Sequence, residues 1–185
     1  MQRKRRTSIT AVLTLASLSL FMGQSFGQPM GKTIPSRRAP GFSLPDLGFQ
    51  QHDLLDYRGR WLLLLFVRTA ADVSKTSAQL MEARRAQFGN RAAVLYVGVS
   101  PMENQATMTK FVADAKLTSG VVFDQGQMAA SYFRATPTRP SIDMPHLFAI
   151  DPNGMIVKEW TEIALRDPTF GAQLDALVGS ARTSK

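Results

Sequence analysis

Arg68, Asp72 and Ser74 stand in a short break between an apolar run, Trp61–Val67, and a helix-like stretch that ends at Phe88. The end of a central strand and the start of the next helix is where α/β proteins place their chemistry. Ser74 could act as a nucleophile only with a base, and the chain has two histidines, His52 and His146. Arg68 beside a helix N-terminus could hold a small anion. The simpler roles are structural. Asp72 and Ser74 can cap free N–H groups at the helix start, and Arg68 can pair with Asp72 at the surface. Met102, Met108, Met128 and Met144 carry thioethers of the kind that suit Cu(I), but they fall on different elements, and packing is their ordinary use. His52 lies in a polar loop and is expected to be solvated. The chain contains no cysteine. Disulfides, thiolate catalysis, cysteine zinc sites and iron–sulfur clusters are therefore excluded for it. No cofactor and no metal site is expected.

The 185 residues suit one domain with a real core. The formal net charge is +8. Arg3, Lys4, Arg5 and Arg6 contribute +4 of it, and no acidic residue precedes Asp46. The remainder has 18 basic and 14 acidic side chains, hence +4. No basic stripe with interleaved aromatics is present, so no nucleic-acid partner is expected.

Residues 1–27 have the pattern of a secretory signal peptide: a basic start, an apolar run from Ile9 to Met22, then small and polar residues. The run is short for a membrane span, so no stable span is expected after cleavage. Uncleaved, the segment would be an interfacial anchor. A periplasmic or secreted location follows as an expectation. Residues 28–38 are polar and Pro/Gly-bearing, which predicts a linker; 39–178 form the domain and 179–185 a flexible tail.

Within the domain, Trp61–Val67 and Ala93–Val99 are near-continuous apolar runs, expected of strands buried on both faces. Helical periodicity follows each, up to Phe88 and over Glu103–Ala115. A short strand at Val121–Phe123 and a short helix at Gln127–Phe133 come next. A proline-broken loop, Arg134–Pro145, leads to a strand at His146–Ile150. Asp151–Gly154 is a hairpin turn into Met155–Trp160. Asp167 can cap a last helix running through Val178, with Pro168 at its first position. The order β-α-β-α-β-α-β-β-α predicts an α/β fold, with a mixed central sheet flanked by helices, a terminal β-hairpin and a C-terminal helix.

Four segments resemble the redoxin branch of the thioredoxin-like superfamily, which includes AhpC/TSA peroxiredoxins and exported thiol–disulfide reductases. These are APGFSLPDL at 39–47, LLDYRGRWLLLLF at 54–66, the helix from Ser74 to Phe88, and MPHLFAIDPNGMIV at 144–157. The resemblance implies a thioredoxin-like fold. It also implies a cis-proline six residues before the Asp of the Ile-Asp pair, which is Pro145 and not Pro137. Met144 would then line the substrate groove, and His146 would face the helix start, close enough to Ser74 for a pairing to be conceivable. The family's two cysteines would fall at Ala71 and Ser74, so a Cys-x-x-Cys has become Ala-Asp-Val-Ser. A serine hydroxyl has too high a pKa to replace a thiolate there.

The resulting expectation is an exported, cysteine-less redoxin relative. It would bind a peptide or protein partner through a groove of Arg68, Asp72, Ser74, Met144 and Pro145. Two alternatives stay open: an oxidoreductase acting only with a partner's thiol, and a small-anion site at the Arg68–Ser74 helix start. The oligomeric state stays open too.

Overall fold

The structure, a computed structural model, describes residues 32–179. The expected signal peptide and nearly all of the expected tail lie outside the described residues.

Strand β4, Trp61–Phe66, is the centre of the molecule, and all six of its residues are buried. It pairs in parallel with β5, Ala92–Val99, which pairs in parallel with β6, Gly120–Asp124. On its other side β4 pairs antiparallel with β7, His146–Ile150, and β7 with β8, Met155–Trp160. Residues 28–38, expected as linker, need correcting from Lys32 onward. Lys32–Arg38 forms strand β1 and pairs antiparallel with β8. An edge strand needs no apolar alternation of its own when half its backbone bonds come from a neighbour, so its polar sequence conceals it. The six-stranded order is β1-β8-β7-β4-β5-β6. A second, two-stranded sheet joins β2, Ser43–Pro45, to β3, Gln51–Asp53.

Alternation along β4 divides the core in two, because successive side chains leave opposite faces of a strand. Leu63 and Leu65 pack with helix α1 (Asp72–Phe88) and with α2, Gln105–Ala115. The short α4, Glu162–Leu165, and the last helix α5, Phe170–Gly179, complete that layer. Leu62, Leu64 and Phe66 face the other way, toward α3, Gln127–Phe133, and the 3-10 turn at Leu54–Tyr57. An all-apolar strand is what two covered faces require.

Local signals place the ends of these elements. Asn104 caps α2 through a reciprocal bond with Thr107. Asp151 Oδ1 accepts from the N–H groups of Asn153 and Met155, which closes the hairpin turn between β7 and β8. Helix α5 begins only at Phe170, so Asp167 is not its N-cap nor Pro168 its first residue; Asp167 instead accepts from Thr169 N–H in the turn that leads into the helix. Trp160 on β8 donates to Gln173 of α5 at 2.8 Å, tying the last helix to the sheet. The methionines do not converge. Met108 belongs to one core and Met128 and Met144 to the other, while Met102 is exposed.

Candidate functional site

The loop after β4 is short and tightly bonded. Ala71 N–H donates to Arg68 C=O, and Ser74 N–H donates to Ala71 C=O, both at 2.9 Å. The helix therefore starts one residue before an Asp72 cap would place it and three before a Ser74 cap would. Ala71 is the N-cap, with no side-chain cap, and Asp72 is the first helical residue. Neither Asp72 nor Ser74 caps α1. Ser74 is fully buried, and its Oγ accepts from the backbone N–H of Arg68 at 3.0 Å. Asp72 is exposed in the first turn, where its charge suits the helix dipole. Arg68 is exposed, and among the described residues no ion pair joins it to Asp72.

Glu103, outside the residues singled out from the sequence, anchors this loop. It is 3% exposed. Its carboxylate accepts from Thr69 N–H at 2.8 Å, from the Thr69 hydroxyl at 2.7 Å and from the Thr107 hydroxyl at 2.7 Å. A lone glutamate at a helix start gives no sequence signal for a partner 34 residues away. The clamp makes the loop a fixed platform. Glu103→Ala should leave the part-buried Thr69 N–H short of its acceptor and cost about 1–3 kcal/mol. Hydrogen exchange at the Thr69 amide reads this directly, with faster exchange expected there than at amides inside α1.

The Met144–Pro145 bond is cis, as the family spacing implied. β7 begins at His146, which pairs with Phe66. Continuing that antiparallel register sets Pro145 opposite Val67 and Met144 opposite Arg68, so the two segments meet at the strand ends. The Met144 side chain is not in a groove; it is 6% exposed and packs into the core with Phe66, Met128 and Tyr132. An unbranched thioether fills such a gap readily. Pro145 is buried too, and the surface of this segment lies at Ile142 and Asp143. No backbone hydrogen bond within the described chain engages residues 142–145.

The conceivable Ser74–His146 pairing does not form. His146 stacks on Phe148 with ring centroids 4.5 Å apart, and meets Phe133 edge-on at 5.1 Å. Phe133 and Phe148 belong to the layer on the far side of the sheet from α1. Strand parity decides this, since His146, Phe148 and Ile150 must share one face. His52 is not solvated either. Its Nδ1 lies 2.6 Å from the Tyr57 hydroxyl and its Nε2 3.1 Å from Asp46 Oδ2. Burial pushes the Tyr57 hydroxyl up to about 12. Gly120 leaves room for this chain, because a Cβ there would sit 2.8 Å from the His52 ring. These contacts brace β2 and β3 against β6, and no substrate role follows from them.

A family model described as the AhpC/TSA family matches residues 35–159. The thiol-disulfide oxidoreductase ResA of Geobacillus thermodenitrificans (strain NG80-2) is 26% identical over 157 residues, covering 85% of this chain and 86% of that protein. Among solved structures, a thiol:disulfide interchange protein of the thioredoxin family from Chlorobium tepidum TLS superposes with a TM-score of 0.66. It is 14% identical, and the match covers 81% of this chain and 99% of that one. A DsbF homologue from Corynebacterium diphtheriae gives a TM-score of 0.64 at 13% identity, covering 84% and 95%. These likenesses carry the fold. The thioredoxin-like architecture stands with neither cysteine at the helix start.

Proposed function

The chain belongs to the AhpC/TSA family, and from that premise we propose that it is an exported, non-catalytic member that binds an extended peptide or protein segment. One observation carries this reading: the backbone beside cis-Pro145 is unpaired while the facing loop is held rigid by Glu103 and Ser74. An extended segment that adds its own hydrogen bonds to such backbone needs no thiol. Exposed Arg68 on the facing loop would meet an acidic side chain of the bound segment. Export rests on the N-terminal pattern, and no described helix is long and apolar enough to cross a membrane.

The anion-site reading has less support. Arg68 N–H is spent on Ser74 Oγ, and Asp72 already puts a carboxylate at the helix start. An oxidoreductase role would need every thiol from a partner, since this chain has no cysteine.

The test uses the purified chain and a carboxymethylated, permanently unfolded polypeptide. Amide signals at 68–71 and 144 should shift on titration, and insulin reduction and peroxide consumption should stay at the buffer rate. Shifts elsewhere only, or turnover in either assay, would sink the proposal.

A further inference from the structure

A second concavity lies on the sheet face away from α1. It is a groove of about 630 Å³ between β1, the end of α3 and the loop before β7. That volume is in the range of small-molecule sites. Its floor is a set of flat rings. His146 stacks on Phe148 with an interplanar angle of 28°, and Phe133 stands edge-on to both. The Arg37 guanidinium lies over Phe148, 5.7 Å from the ring centroid.

The charges are unevenly matched. Glu159 is engaged by Arg37 at 3.4 Å and by His146 Nε2 at 3.4 Å. Burial alone would raise the Glu159 carboxyl, but His146 and Arg37 hold it below the usual carboxylate range. Asp143 accepts from the Ser141 hydroxyl. Arg134 and Arg139, both exposed on the groove wall, have no acidic partner among the described residues. An independent observation concerns the floor. His146 is 6% exposed; its Nε2 faces Glu159, and its Nδ1 has no hydrogen-bond partner. Buried polar atoms in native proteins are seldom left so, and the exceptions call for a cause.

We infer that this groove binds a flat organic monoanion, a carboxylate on an aromatic or conjugated body. The carboxylate sits on Arg134 and Arg139, whose forked donors match its two oxygens. The flat body lies along Phe133, the partly exposed ring, with His146 and Phe148 buried beneath it. A dianion is disfavoured, because Asp143 and Glu159 are in the same walls. The groove adjoins the peptide surface at Met144 through Asp143 and His146, but Arg134 and Arg139 take no part in the peptide reading, so their variants separate the two.

The experiment titrates the full chain with benzoate, benzamide and phenyl phosphate. Affinity is read by calorimetry and position by the His146 ring-proton signals. Benzoate should saturate and move those signals, benzamide should bind at least about tenfold more weakly, and phenyl phosphate no more tightly than benzoate. Arg134→Ala with Arg139→Ala should weaken benzoate about tenfold with an unchanged melting temperature, because both side chains are exposed. The inference is overturned if benzoate fails to saturate, if benzamide binds as well, if phenyl phosphate binds better, or if the double variant binds like the parent.

Discussion

Ala71→Cys combined with Ser74→Cys should turn this chain into a thiol–disulfide exchanger. The two positions are the N-cap and the third residue of α1, so side chains there meet over one helical turn. Free N–H groups and the helix dipole lower the pKa of a thiol at the cap. Exposure separates the two roles: Ala71 is partly exposed and Ser74 fully buried. The first thiol can attack, and the second is shielded until it resolves the mixed disulfide. With no other cysteine present, the chemistry is unambiguous. The oxidised double variant should be two hydrogens lighter than its reduced form, and with dithiothreitol as the electron source it should speed insulin reduction above the rate seen with the parent, which has no thiol to exchange. Ala71→Cys alone should be alkylated quickly and Ser74→Cys alone slowly. A double variant that remains a dithiol under oxidised glutathione would show that the loop has lost the family's geometry along with its sulfur.

Phe66→Ala should be the most damaging single truncation near the site. Phe66 ends the central strand and is fully buried. Its ring meets Phe133 at 5.2 Å, Tyr132 at 5.6 Å and Phe148 at 5.7 Å, with tilted or edge-on geometry. Such pairs add to the area already buried. Emptying the position should cost about 3–5 kcal/mol, against a total stability of about 5–15 kcal/mol for a domain. Denaturant titration should show a large fall in midpoint with little change in slope, and Phe66→Leu should recover much of it. The cavity would open under Met144 and His146 together, because both pack on that layer. Peptide shifts at Met144 should therefore weaken as well. A loss under about 1 kcal/mol would mean that this face is packed more loosely than its ring contacts imply.

Much of the architecture was legible because it is written locally. Trp61–Phe66 is apolar at every position, which only a strand covered twice requires. The hairpin through Asp151–Gly154 carries its own turn chemistry. The cis bond at Pro145 was legible through family spacing rather than through any property of the proline. Lys32–Arg38 was not legible, since an edge strand borrows its stability from the neighbour it pairs with. Glu103 was missed for a related reason: its partner Thr69 is remote in sequence, and the pairing exists only after α2 docks.

The absence of cysteine was determined by the sequence alone, and no fold can restore a missing thiol. The break between Trp61–Val67 and the following helix was likewise there to read. Tertiary structure decided what that break does with its polar groups. Ser74 turned inward to Arg68 N–H, Met144 turned into the core, and His146 went to the opposite face from α1. Direction depends on helix phase and strand register, and those are set by contacts between residues far apart in the chain.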